Sequence, residues 1–274
     1  MLRLAFSTQE GYYLGISNMQ PKEQRMNVVA SDLVSNTQTC HHDIKVSCSN
    51  CRLGSLCLPI AVSAQDIDQI DSIVLRSRPI DKGQNLFSQG EKFKSVFAVR
   101  SGAFKTYSLS SSGKEQINGF YLPGEIFGMD GISDFSHASS AVALDRSAVC
   151  EIPYDSLGQL SSKLPSLQRH FMQLMSQEIA NDQKLISLLG KNSADERIAS
   201  LILSLSARNA RRKFSATEFN LPMSRTDIAN YLGLTIETVS RIFSKFSKAG
   251  VMDIQNKEIK ILDMSRIRNI AGIE

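Results

Sequence analysis

The spacing of apolar and polar positions divides this chain into stretches of different texture. From residue 79 to 153, short alternating segments are cut by Gly83, Gly90, Gly102, Gly113, Gly119, Gly124 and Gly128. Residues 95–102 read as a strand ending in a turn, 103–109 as its return strand, 110–113 as the next turn and 148–152 as a further strand. Short strands separated by turn residues predict an antiparallel barrel or jelly-roll. After Pro165 the period becomes helical: Met172, Met175, Ile179, Asp182, Ile186 and Leu189 follow steps of three and four. That seam suits a helix of about six or seven turns. It joins two regions of different texture, which favours a connecting helix that also dimerises over one packed only on its own domain. Asp182 is the odd member of the seam. Either the register shifts and the carboxylate meets water, or one charge per chain opposes its symmetry mate and weakens the dimer.

Helical spacing resumes over 193–250. Residues 194–207 place Ile198, Leu201, Ile202 and Leu205 on one face, and a basic stretch follows with Arg208, Arg211, Arg212 and Lys213. Residues 251–262 alternate around a turn near Asn256 and Lys257, as a β-hairpin does. Near the other end, Ser63 and Asp66 suit a helix start before Ile67, Ile70, Ile73 and Val74. Residues 1–39 are polar and weakly patterned and read as a flexible extension, within which Met19 and Met26 are alternative starts to Met1.

Between the last helical runs lies the sharpest local motif. Ser224 is placed to cap one short helix with Asp227 in its first turn; Gly233 permits a tight turn, and Thr235 is placed to cap a second helix. Ile228 and Leu232 face inward on the first helix, and Val239, Ile242 and Phe246 on the second. This is helix-turn-helix spacing. Glu237, Ser240 and Arg241 then share an outward face. Glu accepts from a cytosine amine, Arg donates bidentately to guanine, and Ser lets the helix approach closely. The competing reading is an ordinary surface pair worth ~0.3–0.5 kcal/mol; the surrounding motif favours base contact. Thr235 and Arg225 flank that face, and Lys245 and Lys248 lie further along, at positions suited to phosphates.

Composition changes this picture little. At 274 residues and 42% hydrophobic, the chain can build ordinary cores, and a net charge of +4 permits nucleic acid without demanding it. No apolar run approaches the ~18 residues of a membrane helix, and no signal peptide is evident, so a cytosolic protein is expected. In that compartment an odd total of five cysteines favours metal or redox chemistry over disulfides.

Three of the five form Cys48-x2-Cys51-x5-Cys57. A zinc site usually shows two paired units or a histidine pair. Zinc with His41, His42 or Cys40 stays open; an all-thiolate iron–sulfur cluster needs a fourth cysteine, either Cys40 or Cys150.

These parts, in this order, resemble the CRP/FNR superfamily of bacterial transcription regulators, and within it the anaerobic FNR/Anr branch. The motifs are Cys48-x2-Cys51-x5-Cys57-Leu58-Pro59, Val99-Arg100-Ser101-Gly102, Gly113-Lys114-Glu115-Gln116-Ile117, Val149-Cys150-Glu151-Ile152-Pro153 and the run from Asn230 to Arg241, over residues 45–270. The resemblance implies an α+β chain with five parts. These are the extension 1–39, a cluster-binding loop 40–62, an antiparallel β-roll sensor domain of the cyclic-nucleotide-binding kind at 63–163, a dimerisation helix at 164–191, and a C-terminal winged helix-turn-helix at 192–274. It implies a 4Fe-4S cluster on Cys48, Cys51, Cys57 and Cys150, with Cys40 a non-ligand. It also implies a homodimer reading TTGAT-like half-sites of double-stranded DNA through Glu237, Ser240 and Arg241, and contact with RNA polymerase, for which the turn at 110–114 is the candidate. In the family, oxygen converts the cluster to a 2Fe-2S form, the dimer separates and specific DNA binding is lost. Asp182 falls where the family carries a charge in the dimer helix, which favours the repulsion reading.

Two features depart from the family: the long N-terminus, and Arg52 where a small Ser is common, a cation that favours more reduced cluster states. Relatives that bind cyclic AMP hold its phosphate with an Arg-Ser pair after the Gly-Glu turn. Here Gly124 and Glu125 are present, but residues 135–140 lack the Arg. A regulator sensing a small ligand or haem is the alternative within binding proteins, and an iron–sulfur redox enzyme or electron carrier the alternative from another class. The chain has no glycine-rich phosphate loop, nucleophile–base pair or second cluster motif to support an enzyme.

Overall fold

A computed structural model of the chain describes residues 46–273. The expectations for residues 1–39, the alternative starts, Cys40, His41 and His42 lie outside the described residues. Short 3₁₀ turns at Cys48–Asn50 and Leu58–Ala61 bracket the cysteine segment. Helix α1 (Ile67–Ile73) follows and begins four residues after Ser63. The Ser63 hydroxyl instead donates to the Asp66 carboxylate at 2.6 Å within a preceding turn, so this carboxylate serves the turn and does not cap the helix.

Eight strands then build the β-roll: β1 (Leu75–Arg76), β2 (Asn85–Phe87), β3 (Ser95–Ser101), β4 (Phe104–Leu109), β5 (Glu115–Tyr121), β6 (Ile126–Phe127), β7 (Ser140–Ala143) and β8 (Ala148–Pro153). They form two four-stranded sheets, β1-β8-β3-β6 and β2-β7-β4-β5, with antiparallel pairing throughout. Side chains from both sheets meet in a core of Phe87, Phe97, Val99, Phe104, Phe127, Ala141, Ala143 and Val149. Phe127 is its hub, with ring centroids of Phe97, Phe104 and Tyr121 at 5.9, 5.3 and 4.9 Å. Each buried Phe contributes several kcal/mol of transfer and dispersion energy, so aromatic side chains fill the interior of the roll.

Helix α2 (Tyr154–Lys163) leads to the long helix α3 (Pro165–Lys191), which Pro165 opens at a position where its missing N–H costs nothing. Leu167 and Phe171 of α3 are buried in a second core with Ile70, Val96, Ile152 and Leu157, and Leu174 and Met175 pack against it. Met172, Ile179 and Ile186 are 60%, 58% and 69% exposed.

The third core belongs mainly to the C-terminal elements: α4 (Ala194–Arg211), β9 (Glu218–Asn220), α5 (Arg225–Leu232), α6 (Ile236–Lys248), β10 (Met252–Gln255), β11 (Glu258–Ile261) and α7 (Met264–Ile270). Strand β9 joins the expected β10–β11 hairpin as a third strand through Glu258↔Asn220, Ile259↔Phe219 and Lys260↔Glu218. Helix α4 runs on into the basic stretch, through Arg208 and Arg211.

This C-terminal unit is docked on the roll through α5 and β5. The Ile117 amide donates to Asn230 Oδ1 at 2.7 Å, and Asn230 Nδ2 donates to the Glu115 carbonyl at 2.8 Å. Lys105 bridges Glu115 and Asp227 at 2.7 and 2.9 Å, and the Phe120 and Tyr231 rings lie 5.0 Å apart. Arg208, the first cation of the basic stretch, turns inward. It pairs with Glu125 and donates to the Phe120 carbonyl at 2.5 Å, so the roll has drawn this charge away from solvent.

Candidate DNA interface and cysteine site

Helices α5 and α6 are held by the residues the sequence singles out. Ser224 and Asp227 form a reciprocal capping box, with the Asp227 amide 3.1 Å from Ser224 Oγ and the Ser224 amide 2.8 Å from Asp227 Oδ2. Gly233 ends α5 at φ 61°, a left-handed conformation that a side chain disfavours, and this brings α6 across α5. Thr235 Oγ1 then accepts from the Thr238 amide at 3.2 Å and starts α6. Ile228, Leu232, Val239, Ile242, Phe243 and Phe246 are buried between these helices and α4.

The opposite face of α6 is open. Glu237 and Arg241 are exposed and Ser240 is half-buried. The Glu237 amide and the Thr235 hydroxyl hold the Glu237 carboxyl below its ordinary value, so it is an acceptor at neutral pH. Arg225 donates to Ser240 Oγ at 3.4 Å and stacks its guanidinium 5.6 Å from the Phe243 ring, tying α5 to α6. Lys248 is exposed, whereas Lys245 reaches Asp195 of α4 at 2.9 Å. Of the expected seam on α3, Met172, Ile179, Asp182 and Ile186 are exposed, while Met175 and Leu189 are half-buried.

The cysteines come from opposite ends of the roll's sequence and meet on the same core. Cys48, Cys57 and Cys150 all pack against the cluster that contains Leu58, Ile70, Val96 and Ile152, and Cys51 lies in the same loop. Cys150 is the third residue of β8, opposite Arg76 on one side and Ala98 on the other. The loop is seated on the roll at Gly124, where an added Cβ would come within 3.0 Å of the Leu56 Cβ. Burial, with the neighbouring Asp71, pushes the Cys48 thiol up to about 12. Burial also pushes Cys57 up to about 12 and raises Cys150, the latter against the pull of Arg76. Arg52 is exposed.

Among the described residues, no three His, Cys, Asp or Glu side chains are grouped closely enough to hold a single metal ion. A four-iron cluster makes a different demand, because it takes one thiolate on each iron. Four free thiols, three of them packed in an apolar shell and kept protonated there, suit a soft centre whose binding displaces the protons. The donor set therefore fits such a cluster. What residue spacing alone could not supply was Arg76, Asp71, Arg208 and Asn230. The last two have partners 83 to 115 positions away, and only the folded chain reveals them.

Comparison with known proteins gives these sites their setting. Residues 77–163 match a cyclic nucleotide-binding domain and residues 196–270 a Crp-like helix-turn-helix domain. The chain is 49% identical to the transcriptional activator protein FnrA of Stutzerimonas stutzeri over 225 residues, covering 82% of this chain and 92% of that protein. It is 50% identical to the transcriptional activator protein anr of Pseudomonas aeruginosa, with the same coverage. The solved structure of FixK2 from Bradyrhizobium japonicum is similar at a TM-score of 0.66 and 31% identity, covering 72% of this chain and 97% of that one. With both domain types matched in the expected order, and curated relatives alike over most of their length, the chain belongs to the CRP/FNR family of DNA-binding transcription regulators.

Proposed function

We propose that this regulator responds to oxygen: a homodimer that binds DNA specifically while a 4Fe-4S cluster is held by Cys48, Cys51, Cys57 and Cys150. The observation that carries the reading is the packing of Cys48 and Cys57 from the loop, and Cys150 from β8, on one apolar core. When bound, the cluster supplies an oxygen-labile tie between loop and roll. The chain's own residues do the rest. The second core joins the cysteine region to Leu167 and Phe171 of α3, so the state of the loop bears on the seating of that helix. Met172, Ile179 and Ile186 offer an apolar seam to a second copy, with Asp182 between them as a like charge that weakens the pair. Two α6 helices presented by such a dimer, one DNA turn apart, read TTGAT-like half-sites through Glu237, Ser240 and Arg241, with Thr235 and Arg225 supporting that face.

The exposed turn at 110–114 is the proposed contact for RNA polymerase, and the protein works in the cytoplasm; no described helix is long and apolar enough to cross a membrane. The proposed division of labour is loop 40–62, roll 63–163, dimer helix 164–191 and DNA-binding unit 192–274. The aromatic filling of the roll favours a scaffold over a chamber for a small ligand.

The test is iron and sulfide content per chain, measured without air on wild type and Cys150→Ala, alongside binding to a TTGAT palindrome before and after air. Four irons per wild-type chain, loss of cluster in Cys150→Ala, and joint loss of colour and binding in air are expected. Colourless protein with air-independent binding would sink the proposal.

A further inference from the structure

Arg76 stands between the two halves of the cysteine set. It occupies β1, directly opposite Cys150 of β8 in the strand register. From there its Nε donates to the Val46 carbonyl at 3.0 Å, thirty residues back, and its Nη2 points to Cys48 Sγ at 3.9 Å. The same Nη2 pairs with Asp71 of α1, whose Oδ1 also accepts the Cys48 amide at 2.7 Å. One guanidinium thus touches the start of the loop, a loop thiol and a helix carboxylate while its backbone lies beside the strand of the fourth cysteine.

Strand β1 is two residues long and cannot fix the loop by ladder bonds alone. A guanidinium fork has several donors in fixed directions, so it can hold these partners at once; a lysine ammonium is a compact charge on a flexible stem. The side chain is only 15% exposed, which limits the screening of its charge.

We infer that Arg76 is a positioning residue for the cysteine site: it fastens the segment bearing Cys48 to the strand bearing Cys150 and places a fixed positive charge beside the gathered sulfurs. The second half of this statement rests on the cluster reading above; the first half does not.

The experiment separates them. Amide hydrogen exchange is followed across residues 46–58 in the full-length, metal-free chain for wild type, Arg76→Gln, Arg76→Lys and the exposed-site control Arg78→Gln. Exchange in α6 serves as the reference for global folding. Arg76→Gln is expected to speed exchange in 46–58 by roughly 10–100-fold, the loss of one charge-assisted bonding network, with α6 unchanged. Arg76→Lys is expected to fall between, and Arg78→Gln to match wild type. Should Arg76→Gln lose α6 protection as well, Arg76→Lys decides the matter. Wild-type exchange in the loop of a folded Arg76 variant would overturn the inference. A parallel anaerobic reconstitution with ferrous iron and sulfide tests the charge: Arg76→Gln is expected to lose its colour in air several-fold faster than wild type and Arg76→Lys to recover part of that lifetime. Equal lifetimes would overturn the electrostatic half. A wild type that takes up no iron defeats the cluster reading and leaves the exchange result to judge the tie.

Discussion

Ile179→Ala tests the apolar seam of α3 most directly. In the single chain Ile179 is 58% exposed, one turn-pair from Met172 and Ile186, which are more exposed still. Full burial of such a side chain is worth about 1.5–3 kcal/mol, so covering the exposed part of Ile179 contributes roughly 0.9–1.7 kcal/mol per chain. A two-fold interface counts it twice, and truncation to Ala gives up most of it, about 1.5–3 kcal/mol per dimer. The dimer dissociation constant should therefore rise roughly 10–100-fold. The residue contributes little to its own chain, so unfolding of the monomer should move by no more than about 0.5 kcal/mol. Sedimentation velocity over an anaerobic dilution series measures the first quantity, and thermal unfolding at concentrations where only monomer is present measures the second. A dimer constant unchanged by the substitution would remove the seam from the interface. A monomer destabilised by several kcal/mol would show that the side chain is packed within its own protomer.

Three further outcomes are expected. Asn230→Ala removes both side-chain bonds to β5 and should loosen the docked arrangement by about 1–3 kcal/mol, read as faster deuterium uptake over 115–121 with α6 still protected; unchanged uptake refutes it. Arg241→Ala should relax preference at one base pair of the half-site by about 1–3 kcal/mol, whereas Lys248→Ala should weaken all sequences alike and flatten the salt dependence, both by fluorescence anisotropy. Burial raises the Asp227 carboxyl, but bonds from Ser224 and the Lys105 ammonium outweigh it and leave it below its usual 3.8. A depressed carboxyl adds stability above the unfolded value that is lost as pH falls through the folded one. The stability gap between wild type and Lys105→Met should accordingly be constant near neutrality and close below pH of about 4; a gap that persists in acid would contradict the pairing.

The elements that repeat a period were legible in the chain. Alternation between glycines announced β3, β4 and β8, and steps of three and four announced α3 and α4. The caps at Ser224 and Thr235 were legible because capping is a matter of a few neighbouring residues. Strand β9 was not, since three residues of exposed–half-buried–exposed pattern carry too little alternation. The inward turn of Arg208 was hidden for a related reason. Its row of Arg and Lys reads from the sequence only as basic, and the Glu125 that turns it inward lies 83 residues earlier. Among the cysteines, the triplet was plain from spacing, but choosing between Cys40 and Cys150 required the family resemblance, because strand register is a long-range property.

Strand β5 ends its sheet, and the edge of a sheet presents unpaired amides and carbonyls that invite a strand from another molecule. The carboxamide of Asn230 takes the Ile117 amide and the Glu115 carbonyl of that edge. The DNA-binding unit therefore doubles as a cover for its neighbour. Any state that lifts α5 from the roll uncovers a template for intermolecular strand addition, so variants that undock should be prone to aggregate before they unfold. Solubility of the released form then sets a limit on how freely the two units can part.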